Sequence, residues 1–327
     1  MPSLSILLLA AGISATATAC SGLDKMENLV TFGDSLTDDG RADYWEKHGV
    51  FPPPGVEVPI VNASASGGAS WGRIVAETTG ARYNNYAVSG GTCSNKIVEI
   101  TIAELGSAFP TVLEQEIPAF VQDVGFDNLY PNRQANNTVY NVCIGTNDLG
   151  ILGYLSDSQA PGSTIDTYTN CIWDVLDKIY ENGGRYLVLM TLMPLEITPL
   201  YKSLDKGGAE SPNFWPSKAD VNSTLYEQRA MQSITSANSL FQAAGSFHLK
   251  VQARWPGSTL VIFDNNQLLK DIYAEPEKYF DAPADVDGVY QQCVGWEDCQ
   301  VSSKPLSSFM WFDELHPSER TRKLACG

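Results

Sequence analysis

Leu29-Val30-Thr31-Phe32-Gly33-Asp34-Ser35-Leu36-Thr37-Asp38 is the stretch from which the rest of the chain can be read. Its first four residues form a short apolar run that predicts a buried strand, and the Gly-Asp-Ser that follows sets a hydroxyl at the strand's carboxyl end. Near the far end of the 327-residue chain stands Asp313-Glu314-Leu315-His316-Pro317. A serine hydroxyl is a weak nucleophile until a base removes its proton, and a histidine oriented by a carboxylate is such a base. Asp313, three residues before His316, shares one face with it if the segment forms a helical turn, so one ring nitrogen is held and the other is left for Ser35. These parts suffice for acyl transfer at serine, chemistry that requires no metal and no cofactor.

Working outward, further strand candidates run from Val139 to Ile144, Tyr186 to Met190 and Leu260 to Phe263, with a weaker one over Arg82 to Asn85. Between them Val112 to Val124, Tyr168 to Tyr180 and Asn222 to Gln242 space apolar residues at three and four, the helical period. Strands separated by helices imply right-handed crossovers and a mostly parallel, doubly wound α/β sheet. Ligands bind beyond the carboxyl ends of such strands. Ser35 and Gly145-Thr146-Asn147-Asp148 both fall there. Acyl transfer also needs donors for a developing oxyanion. The Asn147 amide, the Ser35 backbone N–H and a backbone N–H in the glycine pair Gly90-Gly91 are the candidates, against the plainer readings of Asn147 as a helix N-cap and Gly90-Gly91 as a turn.

Composition places this chemistry. The formal charge of −17 disfavours nucleic acid and anionic membranes as partners and suits a neutral ester substrate. Residues 1–19 carry no charged side chain, contain Ile6-Leu7-Leu8-Leu9-Ala10-Ala11 and end in Ala15-Thr16-Ala17-Thr18-Ala19, the pattern of a cleaved signal peptide too short to span a bilayer. Asn62, Asn136 and Asn222 head Asn-x-Ser/Thr acceptors, as in a glycosylated, secreted protein. No later stretch is long enough for a membrane span and no internal repeat is found, so 20–327 is read as one domain, acting as a monomer on a small-molecule or oligosaccharide ester. Of seven cysteines, Cys293 and Cys299 are the expected disulfide and Cys143, inside an apolar run, reads as a buried thiol; the spacings do not suit zinc. Gly68-Ala69-Ser70-Trp71-Gly72 offers a rival nucleophile of the Gly-x-Ser-x-Gly type, but no strand precedes it and Ser70 is better placed as an N-cap.

Gly33-Asp34-Ser35-Leu36, Asn85 through Thr92, Gly145-Thr146-Asn147-Asp148 and Asp313-Glu314-Leu315-His316 together resemble the four ordered blocks of the GDSL or SGNH hydrolase superfamily. The resemblance implies a three-layer α/β/α sandwich on a five-stranded parallel sheet. It also implies Ser35 as nucleophile, Asp313 and His316 as orienter and base, and the Ser35 amide, Gly90 and Asn147 as oxyanion donors. Gly90 is preferred over Gly91 because it lies five residues beyond Asn85, as in the superfamily pattern. Pro52-Pro53-Pro54, Asn84-Asn85-Tyr86-Ala87, Gly183-Gly184-Arg185-Tyr186 and Trp311-Phe312 make the layout similar to fungal secreted esterases, including the acetylesterases of carbohydrate esterase family sixteen. Leu36 and Thr146 stand where those enzymes more often carry Tyr and Ile.

Three functions follow as expectations: a secreted esterase releasing short acyl groups, acetyl foremost, from saccharides; a lipase or phospholipase using the same parts; or a non-catalytic carbohydrate-binding protein. The last would be expected to have lost Ser35, Asp313 or His316, and all three are present. Trp45, Phe51, Trp71, Trp215, Trp311 and Phe312 are candidates for a sugar platform or acyl pocket, with core packing as the alternative for each.

Overall fold

The computed structural model describes residues 23, 25–61, 64–102, 107–295 and 298–324. The expected signal segment 1–19, Cys20, Cys326 and the expected glycosylation acceptor Asn62 lie outside the described residues. Five strands, β1 (Asn28–Gly33), β2 (Arg82–Asn85), β3 (Thr138–Cys143), β4 (Tyr186–Met190) and β5 (Thr259–Phe263), pair in the order β2-β1-β3-β4-β5, and every pairing is parallel. All six residues of β1 are buried, as a central strand covered on both faces requires.

The connections are helical. They comprise α1 (Arg41–His48), α2 (Trp71–Thr79), α3 (Ile117–Asp123), α4 (Thr146–Leu149), α5 (Ile165–Glu181), α6 (Ser223–Lys250), α7 (Asn265–Ala274) and α8 (Glu319–Leu324). Helix α5 packs on α3 and α6, while α2 packs on α8, so helices cover both faces of the sheet. The chain steps from β1 outward to β2 and then returns past β1 to β3. Ser35 therefore leaves the sheet at the reversal of strand order, where the carboxyl ends of β1 and β3 open a crevice.

Several elements differ from expectation. The predicted helix over 112–124 opens with a π-helical turn, Val112–Glu116, before α3 takes over. Helix α6 runs eight residues beyond Gln242 because Gly245 lets it lie against β5: a Cβ there would stand 2.8 Å from the Ile262 side chain. Around Cys293, Gln291–Val294 and Asp298–Val301 form an antiparallel hairpin with Cys293 opposite Cys299. Both strands are largely solvent-exposed, so they have no apolar alternation to betray them. Cys293 and Cys299 are disulfide-bonded, and a second disulfide, Cys93–Cys171, ties the loop after Gly90-Gly91 to α5. Cys143 is a buried free thiol.

Candidate active site

Gly33 closes β1 at φ +151°, and a Cβ there would stand 2.0 Å from the Cys143 carbonyl oxygen of β3. Only glycine permits that approach, and it lets the chain turn sharply into Asp34-Ser35. Asp34 then organises the turn: its Oδ1 accepts from Leu36 N at 3.0 Å and its carbonyl from the amides of Thr37 and Asp38, each at 2.9 Å. Burial pushes the Asp34 carboxyl up to about 6, only partly offset by the Leu36 amide.

The Ser35 Oγ lies 2.7 Å from His316 Nε2, across 281 residues of sequence. On the other side of the ring Nδ1 stands 2.9 and 2.8 Å from the two Asp313 carboxylate oxygens. The carboxylate fixes the ring with its proton on Nδ1, leaving Nε2 as the acceptor for the serine proton. The local geometry differs from the helical turn read from sequence. Residues 313–316 are a series of bends in which Asp313 Oδ1 also accepts from the Leu315 and His316 amides at 2.9 and 2.8 Å, a side-chain turn that holds the carboxylate and histidine in register. Pro317 and Ser318 lead into α8, whose first turn Ser318 caps by accepting from Thr321 N. Beneath Ser35, Arg322 is buried, donates to the Ser35 carbonyl at 3.4 Å and is pushed down to about 10 by burial.

The candidate oxyanion donors come from three loops. Asn147 is the second residue of α4, whose N-cap is Gly145, so the capping alternative does not hold. Its Nδ2 donates one hydrogen to Gly91 O at 2.8 Å, and the amide carries a second. Gly91 N is engaged with Val88 O at 2.9 Å, whereas no backbone carbonyl takes the amides of Ser35 and Gly90 among the described residues. That distinction favours Gly90 over its neighbour. Gly90 sits at φ +81°, and a Cβ on it would meet the Phe109 ring at 2.6 Å.

Other candidates fall elsewhere. Ser70 is fully buried and accepts from Arg73 N, capping α2, so it serves as structure. Trp311, Trp215 and Trp45 are core residues at 0, 5 and 7 % exposure, while Phe51, Trp71 and Phe312 remain half-buried. Two aromatics that sequence reading missed flank the site: Phe109 over Gly90, and Phe214 edge-on to the His316 ring at 5.5 Å between centroids. Neither lies in a motif or a periodic element, so no local signal marks them. Among the described residues no group of three metal-ligating side chains is found, and no helix is long and apolar enough to cross a membrane.

An acetylesterase from Hypocrea jecorina is 42% identical over 297 residues, covering 90% of this chain and 85% of its own. An acetylesterase from Thermothelomyces thermophilus is 28% identical over 200 residues, 59% of this chain and 63% of its own. The acetylxylan esterase Axe2 from Geobacillus stearothermophilus superposes with a TM-score of 0.39 at 14% identity, covering 93% of each chain. The model of the GDSL-like lipase/acylhydrolase family matches residues 29–325, and this chain belongs to that family.

Proposed function

We propose that this ester hydrolase is a secreted, single-domain enzyme that removes acetyl and other short acyl groups from saccharides by way of an acyl-enzyme on Ser35. The unbroken hydrogen-bonded line from Asp313 through His316 to Ser35 Oγ carries the reading. Ser35 Oγ attacks the ester carbonyl carbon as its proton passes to His316 Nε2. The resulting oxyanion accepts from the Ser35 and Gly90 amides and from Asn147 Nδ2. Collapse breaks the bond to the alcohol, which leaves with the proton from His316. Water, deprotonated by the same nitrogen, then attacks the acyl group and frees Ser35.

The acetyl preference is supported by the acetylesterase relative at 42% identity over most of the chain. A saccharide alcohol is supported by the sequence layout shared with family-sixteen esterases and by the charge of −17, which favours a neutral substrate. Secretion is supported by the signal-like first nineteen residues and by two disulfides, which persist in oxidising compartments. Asn136 and Asn222 are exposed and open to glycosylation.

The test is hydrolysis of p-nitrophenyl esters from acetate to palmitate, followed by acetylated xylo-oligosaccharides, with Ser35→Ala alongside. Rapid acetate turnover lost in the variant is expected. Preference for palmitate would move the reading to a lipase, and full activity in Ser35→Ala would overturn the nucleophile.

A further inference from the structure

On the outer flank of the sheet a cavity of about 370 Å³ lies between edge strand β2, helix α2 and the segment 56–60. That volume falls within the roughly 300–1,000 Å³ typical of ligand pockets. One wall is Arg41, the first residue of α1, which is only 6 % exposed. Its Nε donates to Asn85 O at 3.1 Å, and its guanidinium lies 4.6 Å above the Tyr86 ring. A guanidinium has five N–H donors. Among the described residues the four on the two Nη atoms of Arg41 find no acceptor, and no carboxylate forms an ion pair with it. Glu116 is the buried carboxyl that feels the Arg41 charge, but its Oε2 takes Gly33 N and it forms no ion pair with Arg41. These Nη groups reach the cavity, where a ligand hydroxyl can take the place of water as their acceptor.

The charge around the cavity decides what that is. Arg73 is already paired with Asp39, and Asp123 takes Gly55 N and the Tyr86 hydroxyl through its two oxygens. Glu57 and Glu77 also border it. With Arg82 paired to Glu57 at 3.3 Å, three guanidinium groups stand against four carboxylates, a net negative charge that disfavours an anion, whereas hydroxyl oxygens can accept from Arg41 without adding charge. Val56 and Ile60, 40 and 66 % exposed, give the rim an aliphatic surface suited to the C–H face of a sugar ring.

We infer that this cavity is a binding site for a neutral saccharide residue, held by the Nη groups of Arg41 and separate from the site at Ser35. The two sites meet at Asn85, whose carbonyl holds Arg41 and whose Nδ2 donates to Thr37 O at 2.7 Å, two residues past Ser35.

The test is titration calorimetry on the whole secreted protein with D-xylose and D-glucose, and with acetate and phosphate as anion probes. The sugars are expected to bind with Kd on the order of 1 mM, the anions more weakly or not at all. Arg41→Met should weaken sugar binding at least about tenfold. Should that variant fail to fold, Ala76→Leu fills the cavity from α2, leaves Arg41 in place and is expected to abolish sugar binding with an unchanged circular dichroism spectrum. Absence of sugar binding, sugar binding that survives Ala76→Leu, or tighter binding of an anion would each overturn the inference.

Discussion

Asn147→Ala separates the observed bond to Gly91 from the oxyanion role proposed for the same side chain. Its Nδ2 donates a hydrogen to Gly91 O at 2.8 Å and offers the other where the oxyanion forms. Losing an oxyanion donor costs about 3–4 kcal/mol of transition-state stabilisation, about 10²–10³ in kcat. Losing the bond to Gly91 costs about 1 kcal/mol of stability, or roughly 2–4 °C in melting temperature for a chain of this size. The assay is kcat and KM on p-nitrophenyl acetate with a thermal melt of the same sample. The expected result is a kcat lower by about 10²–10³, a KM within about threefold of wild type and a small drop in melting temperature. Asn147→Asp should be slower still, because it removes both hydrogens and sets a negative charge beside the developing one. A kcat within about tenfold of wild type, or a loss carried wholly by KM, would show that Asn147 only anchors Gly91 and would refute the oxyanion assignment.

Phe109→Ala uncovers the flank of Gly90, where the ring approaches the Cβ position to 2.6 Å, and should raise kcat/KM on butyrate relative to acetate by about tenfold or more; an unchanged ratio removes Phe109 from acyl selection. Replacing both cysteines of the Cys93–Cys171 pair, 78 residues apart, should cost about 4 kcal/mol in urea unfolding, against about 2 for the Cys293–Cys299 pair, 6 apart; equal losses would exclude loop entropy as the cause. Burial pushes Asp148 up to about 7 and Asp34 up to about 6 from 3.8, so the folded state holds protons that the unfolded chain releases. Stability from these groups is full below about pH 4 and is lost as pH rises through 6 to 7, so melting temperature should fall from pH 5 to pH 8 and Asp148→Asn should flatten the fall. A melting temperature that rises over that window contradicts the assignment.

What could be read from the chain was whatever its local pattern carries. Central parallel strands are buried on both faces, so Leu29 to Phe32 and Tyr186 to Met190 stand out as unbroken apolar runs. Ser35, Asp313 and His316 sit in compact blocks whose order along the chain is informative. What could not be read depends on contacts between distant segments. The choice between Gly90 and Gly91 turns on which amide Val88 O engages. Phe109 and Phe214 gain meaning only when the fold brings them to Gly90 and His316. Cys93 has several possible partners until α5 is set beside the loop that carries it. The turn at Asp313 has the spacing of a helix, and only the backbone bonds to its carboxylate reveal a different way of achieving the same juxtaposition.

The same long-range bonds explain why these blocks form one rigid site. Asp38, three residues past Ser35, accepts from the amides of Gly40, Arg41 and Ala42 and from both the amide and hydroxyl of Ser89, and so clamps the Gly90 loop to the Ser35 loop. From the opposite side Asn147 holds Gly91 O, and the neighbouring Asp148 holds Cys93 N through both carboxylate oxygens at 3.0 and 3.2 Å. The loop bearing Gly90 is thus gripped between the carboxyl ends of β1 and β3. Burying Asp34 and Asp148 opposes their ionisation, but their contacts fix donor positions before substrate arrives, and such preorganisation is what stabilises an oxyanion without reorganisation at the moment of reaction. The acidic residues beside the motifs therefore act as positioning groups: Asp34 and Asp38 for the serine loop, Asp148 for the loop that completes the donor set.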